Sequence, residues 1–218
     1  MKQYKVGIIG GTGMVGQRFI TLMENHPWFQ LTAIAASSRS AGKPYAEAVA
    51  NRWALDIPMP EEAKDLVVLD AEADAEKLAE LVDFCFCAVD MKKEEIRALE
   101  EKYAKLECPI VSNNSAHRWT EDVPMVVPEL NADHIEIIES QRKRLGTKRG
   151  FIAVKSNCSL QSYVPALSPC ASTVWKAHWC APIRQFPAPA RPSSAGPRWW
   201  ITASPTSAAR RKRASVSP

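Results

Sequence analysis

Two stretches of this chain carry residues whose types and spacing could do chemistry. The first is Gly11-Thr-Gly-Met-Val-Gly16, which follows the apolar, β-branched run at 4–10 and precedes an amphipathic stretch at 17–25. Strand, glycine turn and helix is the implied order. In G-x-G-x-x-G the first glycine permits a tight turn, the second lets a pyrophosphate approach the backbone, and the third lets helix and strand pack closely. Gly11, Thr12, Gly13, Met14, Val15 and Gly16 therefore form a candidate nucleotide cradle, with a helix N-terminus facing the anion. A glycine-rich turn that only turns is the alternative. The second stretch is FIAVKSNCSLQSYVPAL at 151–167, a strand with a polar end followed by a helix that begins at or just after Cys158. A thiol there meets the positive end of a helix and its unpaired N–H groups, both of which favour the nucleophilic thiolate. A buried structural cysteine is the alternative.

A second strand at 31–36 runs into Ser37-Ser38-Arg39-Ser40, where an NAD-binding unit usually places a carboxylate for the ribose 2′-hydroxyl. A carboxylate would repel a 2′-phosphate, whereas Arg39 can pair with one through charge-assisted hydrogen bonds. NADP is the cofactor this turn favours, against the alternative of a solvated serine-rich loop.

These residues need a frame, and alternating elements supply one. Strands are expected at 65–69, 83–89 and 109–112, with a charged helix at 91–107, and this alternation predicts an α/β fold with a doubly wound parallel sheet. Cys85 and Cys87 point to one face of their strand and read as small buried hydrophobes. Cys108 has no assigned role. No pair of the six cysteines has metal-ligand spacing, so no metal is expected. No apolar run is long enough to span a membrane, and the start is too short and glycine-rich for a signal peptide, so the expected location is cytoplasmic.

The strings GIIGGTGMVGQRF (7–19), AASSRSAGKPY (35–45), SNNSAHRWTEDVPMVVPELNADH (112–134) and SNCSLQSYVPAL (156–167) resemble aspartate-semialdehyde dehydrogenases of archaea, fungi and some bacteria, in order and spacing. The resemblance covers residues 1 to about 169, roughly the first half of a full-length member. It implies a Rossmann-type NADP-binding domain at 1–150 and the start of an incomplete α+β catalytic and dimerisation domain at 151–169, with 151–157 as the first strand of a second sheet. Gly10 and Thr12–Val15 would hold the pyrophosphate, and Ser37, Arg39 and Ser40 the adenosine ribose phosphate. Cys158 would be the thioester nucleophile with Asn157 beside the thioester oxygen, and Arg118 would bind inorganic phosphate or the acyl phosphate. The implied reaction is NADPH-dependent reductive dephosphorylation of L-4-aspartyl phosphate, towards lysine, threonine and methionine. The expected partners are the small-molecule substrate and phosphate, and a second copy in the intact family, with neither nucleic acid nor membrane. A related acyl-phosphate or acyl-CoA reductase, or a nucleotide-binding remnant without turnover, would share many of these features.

Beyond Pro169 the resemblance ends, and the composition changes with it. All 24 acidic residues lie at or before Glu139, whereas 170–218 carry eight basic residues, no acid and no leucine. Codons built from the last base of one residue and the first two of the next can restore a family motif: residues 179–192 can encode VCTYQAISGAGKT, with Trp179-Cys180 forced to valine. Residues 170–218 are thus expected to be an out-of-frame, disordered tail that leaves the chain catalytically silent. The alternative is a basic segment for nucleic acid, with its Arg-Arg-Lys-Arg cluster at 210–213.

Overall fold

The computed structural model describes residues 3–167, all within one compact unit spanning Met1–Thr173. The tail at 170–218, with its expected disorder, lies outside the described residues. Seven strands form one sheet: β1 (Tyr4–Ile9), β2 (Phe29–Ala36), β3 (Val68–Asp70), β4 (Phe84–Cys87), β5 (Ile110–Ser112), β6 (Met125–Val126) and β7 (Ile152–Lys155). Eight α-helices accompany them: α1 (Met14–Met23), α2 (Tyr45–Val49), α3 (Glu61–Lys64), α4 (Ala75–Leu81), α5 (Lys93–Lys105), α6 (Pro128–Asn131), α7 (Ile138–Leu145) and α8 (Cys158–Leu167). No helix among the described residues is long and apolar enough to cross a membrane.

The strand order is β3-β2-β1-β4-β5-β7-β6, and every neighbouring pair is parallel. The chain winds outward from β1 through β2 to β3 and then returns to the other side of β1 with β4. Loops diverge at that reversal and leave a crevice at the carboxyl ends of the strands. Because side chains alternate along each strand, the sheet feeds two cores. Ile8 and Ile34 face one core with Ile20, Tyr45 and Val49. Ile9, Ala35, Cys85, Cys87 and Ile110 face the other with Leu78, Leu99 and Tyr103. Cys85 and Cys87 are the small buried groups their spacing suggested, and burial pushes both thiols well above their ordinary pKa. Cys108 is buried as well, with its sulfur 3.6 Å from that of Cys85.

The expectation that 151–157 opens a second sheet is corrected. Ile152–Lys155 is inserted between β5 and β6, and Ile152 and Val154 are buried in the core already described. The cause is a loop clasp. The Glu107 carboxylate accepts from the N–H groups of Lys148, Arg149 and Gly150 at 2.6–3.1 Å. Gln141 on α7 then accepts from the Ile152 N–H at 2.6 Å and donates to the Ile152 carbonyl at 3.0 Å. Together these contacts return the chain into the open side of β5.

Candidate functional site

The turn after β1 is shaped by close approaches that exclude side chains. Gly10 has φ +89°, and a Cβ on it would lie 2.4 Å from the Ala88 carbonyl oxygen. A Cβ on Gly16 would lie 2.3 Å from the Gly10 oxygen and 2.6 Å from Gly11 Cα, so this glycine lets α1 pack against the turn. The left-handed turn thus belongs to Gly10, one residue before the G-x-G-x-x-G pattern begins. Gly13, by contrast, has only the Gly10 oxygen near its missing Cβ, at 3.5 Å, and it is the N-cap of α1 without a side-chain cap. The first-turn N–H groups, those of Met14 and Val15 among them, have no acceptor within the helix and are open to an anion.

A cleft of about 850 Å³ opens from this turn. Gly10, Thr12 and Gly13 line it after β1, Ser37, Ser38 and Arg39 after β2, and Ala88 to Met91 after β4. Ser37, Ser38 and Arg39 are exposed, so their polar groups are free to meet a ligand. Ser40 behaves differently from the other three. It is buried, its N–H closes the turn onto the Ser37 carbonyl at 2.9 Å, and its hydroxyl accepts from Arg52 at 3.4 Å. Asp70, Glu72, Asp90 and Lys102 also border the cleft. Asp70 turns its Oδ1 to the N–H groups of Glu72 and Ala73, both at 2.8 Å.

At the end of β7, Cys158 is the first residue of α8 and is exposed. Asn157 caps that helix: its Oδ1 accepts from the Ser159 N–H at 2.9 Å and lies 3.8 Å from Cys158 Sγ, while its carbonyl accepts from the Gln161 N–H at 3.3 Å. Arg118, half-buried in the loop after β5, donates from Nε to the Lys155 carbonyl at 3.2 Å and from Nη2 to the Ser156 carbonyl at 3.3 Å. Two cations therefore flank the strand end that carries Cys158. Burial lowers the Lys155 ammonium below its ordinary pKa, the Arg118 guanidinium pushes the same way, and Cys158 opposes them.

All seven strands being parallel, the glycine turn, the Ser37–Arg39 turn, the Arg118 loop and Cys158 lie at one edge of the sheet. From β1 to β7 there are three strand spacings, roughly 14 Å at about 4.8 Å each. Two positioning residues escaped the sequence reading. Gln17 donates to the carbonyls of Thr12 at 3.1 Å and Arg52 at 2.9 Å and accepts from the Ala54 N–H at 2.8 Å, while Tyr45 donates its hydroxyl to the Gly11 carbonyl at 2.8 Å. Burial raises the Tyr45 phenol pKa and keeps that donor protonated. A glutamine on the buried face of an amphipathic helix is the signal that could have revealed the first.

The sequence pattern of the family described as "Semialdehyde dehydrogenase, NAD binding domain" matches residues 5–138. Over 164 residues the chain is 46% identical to an aspartate-semialdehyde dehydrogenase of Methanothermobacter thermautotrophicus, covering 75% of this chain and 45% of that protein. The enzyme of the same name from Aspergillus fumigatus is 42% identical over 156 residues, covering 72% and 41%. Among solved structures, the Candida albicans aspartate semialdehyde dehydrogenase with NADP superposes with a TM-score of 0.68 at 36% identity, covering 78% of this chain and 47% of that one. The chain spans about half the length of these relatives. It belongs to the semialdehyde dehydrogenase family and carries that family's NAD-binding domain.

Proposed function

We propose that this chain carries the NADP site, the phosphate arm and the nucleophile of an aspartate-semialdehyde dehydrogenase. The observation that supports it most is the shared sheet edge, along which an anion-ready helix start, an exposed arginine turn, a cationic loop and an exposed thiol are all placed. The open face of Gly13 and the exposed Arg39, with no carboxylate at 37–40, suit a dinucleotide bearing a 2′-phosphate.

In this reading the Cys158 thiolate attacks the acyl carbon of L-4-aspartyl phosphate. A carbon–sulfur bond forms, the carbon–oxygen bond to phosphate breaks, and inorganic phosphate leaves with its electron pair. Arg118 and Lys155 hold the phosphate group and offset its growing charge. Asn157, whose amide oxygen is committed to capping α8, keeps its NH₂ group to donate to the acyl oxygen. NADPH, when bound, would supply the hydride for the thioester carbon, and loss of the Cys158 thiolate from that carbon would give the aldehyde. Thr12, Gly13 and the α1 N-terminus hold the pyrophosphate, and Ser37, Ser38 and Arg39 take the ribose phosphate. Ser40 shapes that turn from behind.

Calorimetric titration of the 218-residue chain tests the cofactor assignment. NADP should bind at one site at least tenfold tighter than NAD, and Arg39→Ala should remove most of that difference. Equal affinity for the two dinucleotides would refute the role of Arg39, and no binding of either would refute the reading.

A further inference from the structure

One carboxylate close to this edge is left unused by the chemistry above. Glu100, on α5, is fully buried, and its Oε1 accepts from Ser112 Oγ at 2.5 Å and from Asn114 Nδ2 at 3.0 Å. Ser112 Oγ accepts in turn from the Asn114 N–H at 3.0 Å. Glu100 Oε2 and Nε2 of the buried His117 have no partner of good hydrogen-bond geometry among the described residues and face each other at 3.9 Å, with the Cys87 thiol also close to the Glu100 carboxyl and the Arg97 carbonyl close to the His117 ring. His117 Nδ1 lies 3.1 Å from Thr120 Oγ1. One turn earlier on α5, Arg97 donates to the Ala116 carbonyl at 2.8 Å. The helix therefore grips the loop from Ser112 to His117, and the next residue is Arg118.

A buried carboxylate is costly unless hydrogen bonds and charge answer it. Ser112 and Asn114 answer one oxygen. The other imposes its field on His117, favouring the tautomer with the proton on Nε2, and Nδ1 is then left to accept from the Thr120 hydroxyl. Burial lowers the His117 pKa, with Glu100 the largest of the opposing groups ahead of Glu101 and the Arg97 carbonyl, so the ring is neutral near pH 7 and the choice of tautomer matters. We propose that Glu100 is a positioning residue that orders the loop after β5 through Ser112, Asn114 and the His117 tautomer, and so holds Arg118 against the strand end beside Cys158. This deepens, and rests on, the reading of Arg118 as the phosphate arm.

Nitrogen-resolved NMR of the 218-residue chain tests it with two variants. Hydrogen exchange at Arg118 Nε, assigned by loss of the signal in Arg118→Lys, reports the grip on the strand end. The His117 ring nitrogens report the tautomer. In Glu100→Ala, exchange at Arg118 Nε should be at least tenfold faster than in the wild type. In Glu100→Gln it should stay within twofold, because the amide oxygen still accepts from Ser112 and Asn114. The new NH₂ group would donate to His117 Nε2, so the ring proton should move to Nδ1, a change that simple space filling would not produce. Unchanged exchange in Glu100→Ala, or a His117 proton on the same nitrogen in the wild type and Glu100→Gln, would overturn the proposal. Should Glu100→Ala not fold, the tautomer in Glu100→Gln decides alone. No readout involves a nucleotide, so a chain that fails to bind NADP would sink the functional reading without altering this result.

Discussion

Asn157 and Gly16 show how single residues set local geometry. Asn157 caps α8 and thereby fixes the first turn on which Cys158 stands. Gly16 has no room for a side chain, since a Cβ would press into backbone atoms that cannot yield. Gly16→Ala should therefore cost about 3 kcal/mol, the upper range for forced overpacking, or roughly 9 °C in Tm. NADP affinity should fall with it, because the same backbone forms the cradle. A melting curve unchanged within a degree would contradict this. The glycine spacing, Arg39 and Cys158 could be singled out in advance because each is a chemical type beside a short-range pattern, whereas Arg118 was named only through the family resemblance. Ser40 was harder to place, because its burial depends on Arg52, which reaches it from beyond α2. Lys155 escaped for a related reason, since only the fold sets Arg118, 37 residues earlier, beside it.

At the scale of elements, strands with β-branched or aromatic runs such as YKVGII and FCFC announced themselves, and so did the charged helix α5. The two-residue β6 is too short to leave a pattern. The residues of β7 were legible as a strand while their partner was not, because the clasp that places it joins Glu107 to residues 148–150, some forty positions away. Three backbone N–H groups hold the Glu107 carboxylate below its usual pKa. A lowered folded-state pKa means that the stabilisation is present above the ordinary glutamate range and is lost as pH falls through the lowered value. Glu107→Gln should accordingly lower Tm most near neutral pH, and the gap to the wild type should shrink by at least half once the wild-type carboxylate is protonated. A gap independent of pH would show that the clasp does not depend on charge.

For the whole molecule, the chain covers 45% of the Methanothermobacter relative. The sheet edge gathers the cofactor turns and the thiol within the described residues, whereas the second half of the relatives has no counterpart there. The 218-residue chain should bind NADP yet show no phosphate-dependent reduction of NADP with aspartate semialdehyde. Ordinary rates in that assay would show that residues 1–218 suffice for catalysis.

In the proposed function the dinucleotide cradle after β1 and the thiol after β7 serve one site. The rate of Cys158 alkylation by iodoacetamide, followed by mass spectrometry with and without saturating NADP, tests it most directly. At least threefold protection by NADP is expected, largely lost in Arg39→Ala at the same nucleotide concentration. Equal rates with and without NADP, in a chain shown by calorimetry to be loaded, would contradict it.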